Sequence, residues 1–306
     1  MWLLACTPPP TPEPPGGSTP APHSAASGET GAAAHSGDLP AGHSGEPTTC
    51  EPQVEVAALY RFDLYEDFDV LPDDTLVTGA NGTLERWSPD GPVFGYPIPG
   101  YDNPTGLRRL PDGRLAFADP SVGLVAATDP VTGSTEVLLA GLLNPNGLAL
   151  VGDALFVSDF RVGGGVWRLP LDGSAAEQVA QVDSPNGLAG TADGSAVLVA
   201  AGSAILSIDL ATRDVTTLAT TDSLWTTVAA DRCGGVWTVG YNDHAVVHVP
   251  PGGEPEVLLV LDDPGLSSLG ASRFGTGTAA WPADHWLVGG YHTGLWDLEV
   301  GVAGVR

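Results

Sequence analysis

Four stretches of this chain open alike: Asn103-Pro-Thr-Gly-Leu, Asn144-Pro-Asn-Gly-Leu, Ser184-Pro-Asn-Gly-Leu and Ser223-Leu-Trp-Thr-Thr. Aligned on Thr105, Asn146, Asn186 and Thr226, they are spaced by 41, 40 and 40 residues. A fixed period of this size marks a repeat architecture, and it constrains the fold more than any other feature of the sequence. Within each unit a short apolar strand leads to a tight turn, such as Pro111-Asp-Gly113 or Ala192-Asp-Gly194. Alternating strands and a second turn follow, as at Leu171-Asp-Gly173. Period-2 alternation punctuated by Asp-Gly reads as hairpins, not helices.

Counting back from Pro72-Asp-Asp74 places Glu66 in the same register, and counting forward places the sixth equivalent near Ser267. The sixth unit carries an insertion, Phe274-Gly-Thr-Gly-Thr-Ala-Ala-Trp281, and runs out after three strands. A spare strand stands ahead of the first unit, at 54–60. Six four-stranded units over 51–306 predict an all-β, six-bladed β-propeller whose last blade is closed by the N-terminal strand. Closure of this kind removes an open sheet edge.

In such a ring the innermost strands begin at one end of a central channel. Glu66, Thr105, Asn146, Asn186, Thr226 and the residue near Ser267 are therefore expected to converge there. One carboxylate and two amide oxygens suit a hard divalent cation such as Ca²⁺. Asn is also a common turn residue, so a polar channel without metal is the other reading. Asp67 is expected to turn away from Glu66, because neighbouring strand residues face opposite ways.

Glu66-Asp-Phe68, Asn144-Pro-Asn-Gly-Leu148, Ser184-Pro-Asn-Gly-Leu188, Cys233-Gly-Gly-Val-Trp237 and Arg273-Phe-Gly-Thr-Gly277 resemble the gluconolactonase–regucalcin family of six-bladed propellers. The likeness covers 54–302, and the last two motifs look like propeller lipoproteins of high-GC bacteria. The resemblance implies a divalent cation held by Glu66, Asn146 and Asn186. It also implies an Asp, both ligand and general base, at the position where this chain has Thr226.

Two functions follow as expectations. The first is a metal-dependent lactonase or esterase, which needs a cation to polarise a carbonyl and a base to activate water. His244, His292 and Asp159 are the candidate catalytic groups, with Asp243 a further acid in reach. Thr105, Thr226, Tyr241 and Tyr291 would face substrate beside Trp225 and Phe160, and Arg161 would meet an anionic group. The second is a non-catalytic, surface-tethered propeller that binds a small molecule or a protein. The missing Asp favours the second, and the partial ligand ring favours the first. Either would act as a monomer. With 11 basic residues, all Arg, against 37 acids and a net charge of −26, neither nucleic acid nor an anionic membrane face is an expected partner.

Residues 1–6 resemble a truncated lipobox, Leu-Leu-Ala-Cys6, and residues 7–50 read as a Pro/Gly/Ser-rich tether with ten prolines. Lipidation of Cys6 would make the protein an exported, membrane-anchored bacterial lipoprotein, periplasmic or at the cell surface. An incidental N-terminal Cys is the alternative. Cys50 and Cys233 then form an even pair, read as a disulfide or as two buried thiols.

Overall fold

The computed structural model describes residues 50–62, 64, 66–291 and 294–305. Cys6, residues 7–49 and His292 lie outside the described residues. The described chain forms 24 strands in six antiparallel sheets of four, arranged as a six-bladed propeller. The innermost strands of blades 1 to 6 are Phe68–Val70, Leu107–Arg109, Pro145–Val151, Pro185–Gly190, Trp225–Ala230 and Leu269–Phe274. Among the described residues no helix is long and apolar enough to cross a membrane.

Blade 6 takes its fourth, outermost strand, Glu55–Tyr60, from the start of the domain, paired with Gly294–Glu299. Just ahead of that strand Cys50 is joined to Cys233 by a disulfide, with 183 residues of separation. The alternative of two free thiols is thereby excluded. Cys233 stands in a turn organised by the buried Asp231, which accepts from the amides of Cys233 and Gly235 and from Trp237 Nε1.

Each blade buries both faces against its neighbours, which is why strands such as Leu155-Phe-Val or Val197-Leu-Val read as continuous apolar runs. The core accordingly falls into six clusters, one between each pair of adjacent blades. Trp237, Phe274, Trp286 and Trp296 fill the junction of blades 5 and 6. Phe68, Trp281 and Leu287 fill the junction of blades 6 and 1, sealing the ring.

The innermost strands of blades 3 to 6 share an irregularity. Their pairing shifts register between Pro145 and Leu148, Pro185 and Leu188, Trp225 and Val228, and Leu269 and Ala271. Such a bulge re-aims the side chain that it contains. It places Asn146, Asn186 and Thr226 at the channel. The equivalent position in blade 6 is Gly270, not Ser267. The connection into blade 6 is longer than in other units, so equal spacing lands three residues early.

Candidate functional site

The residue after each register position must be small where blades crowd together. A Cβ on Gly106 would sit 2.2 Å from the Asn146 carbonyl oxygen, and one on Gly147 would sit 2.2 Å from that of Asn186. The Gly106 amide donates to the Asn146 carbonyl across the blade boundary at 2.8 Å. This close approach narrows the upper channel to a cavity of ≈ 20 Å³, lined by Glu66, Asn146, Asn186 and Thr226 among others. That is room for about one water or one ion.

Glu66 is the one register carboxylate. Asn146 Nδ2 donates to its Oε1 at 2.9 Å, and the Tyr291 hydroxyl donates to the same carboxylate. Burial pushes its pKa up, the two hydrogen bonds pull it back, and the charge of Asp67 adds to the rise. Burial raises the Tyr291 phenol as well, reinforced by the Glu66 charge, so it stays a donor at neutral pH. Tyr291 reaches the channel because blade 6 has glycine there: a Cβ on Gly270 would sit 2.7 Å from the tyrosine ring. A loop side chain thus occupies the sixth register position. Tyr241 packs edge-on against the same ring at 6.4 Å.

Asp67 does not turn away from Glu66. Regular pairing begins only at Phe68, so strand alternation does not govern residue 67, and its carboxylate lines the same cavity. It forms a crossbar. Oδ2 accepts from Arg108 Nη1 at 3.0 Å, and both oxygens accept from Arg273 Nη2 at 2.8 Å. The amides of Phe68 and Leu107 complete its shell. Three residues below Glu66, Asp69 accepts from the amides of Val70 and Arg109; burial pushes its pKa up to about 6 against the pull of Arg273.

The other expected site residues divide. Thr105 is 1% exposed, and its hydroxyl is directed to backbone carbonyls of Ala118, Pro145 and Asn146, not to the channel. Thr226 lines the cavity, but its hydroxyl donates to the Leu269 carbonyl at 2.9 Å. Asp159 is buried, accepting from the Asn144 amide at 2.8 Å and from Arg161 Nε at 2.8 Å. One ion pair therefore occupies both the candidate acid and the candidate anion-binding Arg. Asp243 accepts from the Ser223 hydroxyl and the Ala245 amide. His244 has a left-handed backbone (φ 55°), and its Nε2 is buried without a hydrogen-bond partner among the described residues. Trp225 is buried in the junction of blades 4 and 5, whereas Phe160 is exposed on its loop.

Glu66, Asn146 and Asn186 can offer one carboxylate and two amide oxygens, a hard donor set of the kind Ca²⁺ takes. The fit is supported by a buried carboxylate whose hydrogen-bond partners, Asn146 and Tyr291, are both neutral. To ligate, the Asn146 amide must turn its oxygen toward the cavity in place of Nδ2. Among the described residues no three His, Cys, Asp or Glu side chains gather as a metal cluster, so the amides are indispensable to any such site.

The raised Glu66 pKa has a consequence for stability. A carboxyl that holds its proton more tightly folded than unfolded stabilises fully below the ordinary value of 4.5, and loses that contribution as pH rises through the folded value. Metal-free protein should therefore lose stability from pH 5 to 8. Glu66→Gln should flatten part of that slope, leaving the shares due to Asp67, Asp69 and His285, which also hold their protons more tightly in the folded state. Urea unfolding in chelator at both pH values measures it; an unchanged slope in the variant would show that Glu66 is solvated.

No family model matches the chain, and no curated protein matches it. Among solved structures, a gluconolactonase from Xanthomonas campestris is similar, with TM-score 0.66 and 19% identity over 86% of this chain and 99% of that one. A calcium-binding regucalcin from Agrobacterium tumefaciens aligns with TM-score 0.65 and 13% identity over 82% and 96%. A luciferin-regenerating enzyme aligns with TM-score 0.64 and 16% identity over 83% and 98%. The structural neighbours are thus gluconolactonase- and regucalcin-like six-bladed propellers. At these identities the likeness defines the class by fold.

Proposed function

We propose that the protein is a metal-dependent hydrolase acting on lactones or related esters at the upper mouth of the channel. The observation that carries this reading is the buried Glu66 carboxylate, held between neutral donors at an ion-sized cavity beside Asn146 and Asn186. Glu66, Asn146 and Asn186 would hold a divalent cation, most naturally Ca²⁺, whose chemistry there is polarisation of an ester carbonyl. Tyr291 and Tyr241 would wall the substrate. Tyr291 must leave Glu66 when the site fills, and its hydroxyl then becomes free to bind a substrate oxygen. His244, on the loop that also carries Tyr241, would be the base that takes a proton from water.

Export belongs to the same reading. A disulfide is at home in an oxidising compartment. With the Leu-Leu-Ala-Cys6 motif and the Pro-rich stretch behind it, this supports a monomeric lipoprotein anchored through Cys6. A binding propeller without catalysis is the second reading, favoured by the Thr226 hydroxyl engaged with Leu269 where a second carboxylate would complete the site.

Calorimetric titration of the full chain with Ca²⁺ tests the site. Saturable binding is expected in wild type, lost in Asn146→Ala and tightened at least tenfold in Thr226→Asp, which supplies the second carboxylate. Absence of binding in wild type and Thr226→Asp, both folded, would sink the metal reading. Turnover of a lactone and aryl-ester panel then separates enzyme from binding module: calcium bound without turnover leaves the second.

A further inference from the structure

The opposite end of the channel is built differently. There a cavity of ≈ 730 Å³ opens among the turns that follow the innermost strands. That volume falls within the range of small-molecule sites. Its wall is divided by chemistry. Blades 1, 2 and 6 present Asp69, Arg108, Arg109 and Arg273. Blades 3, 4 and 5 present small apolar groups: Ala149, Val151, Ala189 and Ala229.

Two segments raise the rim of this mouth. The insertion of blade 6 brings Thr276 and Thr278 to the cavity and is anchored at both ends. Gly275 donates to the His285 carbonyl at 2.8 Å, and the buried Trp281 donates from Nε1 to the Asp74 carbonyl at 2.9 Å. The C-terminal segment brings Val305, whose amide donates to the Ala230 carbonyl at 2.8 Å.

Three of the eleven arginines thus meet at one mouth of a chain whose net charge is −26. Their commitments differ. Arg273 commits Nη1 to the Ser272 carbonyl and Nη2 to Asp67, and its Nε is buried away from the cavity, so it offers the mouth chiefly its charge. Arg108 commits Nη1 to Asp67 and to the Leu107 carbonyl. The Arg109 guanidinium has no hydrogen-bond or ion-pair partner among the described residues. The nearby acids are occupied: Asp67 by two guanidiniums, Asp69 by two amides, and the rim residue Asp193 by its own turn through Thr191 and Ser195.

We propose that this lower mouth binds a small amphipathic organic anion. Its carboxylate or phosphate would rest on Arg108, Arg109 and Arg273, and its apolar body on the small residues of blades 3 to 5. Guanidiniums match planar oxyanions through paired donors. The apolar half excludes a ligand that is charged throughout. Arg108 and Arg273 also line the upper cavity, but Glu66 does not reach the lower one, and the proposal does not rest on the hydrolase reading.

Calorimetry of the full chain with octanoate and with octyl phosphate tests it. Saturable one-to-one binding of at least one anion is expected, with octan-1-ol at least tenfold weaker. Arg109→Gln, which removes a guanidinium with no partner, should weaken the anion at least fivefold, and Ala189→Leu should do the same by filling the apolar half. Glu66→Gln should leave the affinity unchanged, which separates this site from the upper one. Failure of both anions to bind, equal binding of octan-1-ol, or indifference to both variants would overturn the proposal. Co-sedimentation with phosphatidylglycerol vesicles without binding of either free anion would also overturn it, replacing a soluble ligand by a lipid surface.

Discussion

Arg273→Ala is expected to lower folding stability by about 3–5 kcal/mol, the range for stripping one partner from a buried ion pair. Asp67, Arg108 and Arg273 are nearly shielded from water, with side-chain exposures of 13%, 11% and 17%. Arg273 is the partner that engages both carboxylate oxygens. Its loss leaves Asp67 with Arg108 and two amides, and deprives Asp69 of its main stabilising charge. Because Arg108 remains, the lower part of the range is expected. Adding Asp67→Asn to Arg273→Ala should recover part of the loss, since the stranded charge disappears. Chemical unfolding of the two single variants and the double variant supplies the cycle. A loss below about 1 kcal/mol for Arg273→Ala would mean that water reaches the crossbar and that the two ends of the channel communicate.

Reduction of the Cys50–Cys233 bridge, or its replacement by Ala at both positions, is expected to remove about 2–4 kcal/mol. The bridge closes a very long loop, so its effect on the unfolded chain is near the upper end of what cross-linking gives. In the folded state it holds the residues directly ahead of the closing strand, whose own pairing with Gly294–Glu299 remains. The loss should therefore appear both in global unfolding and as faster amide exchange along Glu55–Tyr60. An unfolding midpoint unmoved by reductant would show that the outer strand holds without its clip.

The repeat made the architecture legible, because each blade reproduces the same strand–turn pattern and each turn needs Asp-Gly chemistry. The closing strand was legible for a related reason: a sixth unit short of one strand requires a donor, and 54–60 was the unassigned one. Glu66, Asn146 and Asn186 emerged from the same register. What the sequence could not show was the sixth position. Gly270 has no side chain to mark it, and its function is negative: it leaves room for Tyr291, which arrives from a loop twenty-one residues later in the chain. Asp67 precedes regular pairing, so strand alternation does not set the direction of its side chain. Thr105 shares the register, yet its hydroxyl finds three backbone carbonyls nearer than the channel. Spacing places a Cα, and local hydrogen-bond supply decides where the side chain goes. The pairing of Asp159 with Arg161 is local, at i and i+2 across a loop, a geometry that residue types alone did not reveal.

The borrowed outer strand of blade 6 also sets an order of events. Its residues are among the first of the domain to be synthesised, and their partner, Gly294–Glu299, is among the last. Five blades can pair from neighbouring hairpins while the chain is still growing, but the ring cannot be sealed until the final hairpin exists. Contacts so distant along the chain are slow to form. Until then the edge of Gly294–Glu299 stays open to any passing strand, including the same segment of another copy. A ring closed in this way trades rapid completion for a last blade that ties the start of the domain to its final hairpin.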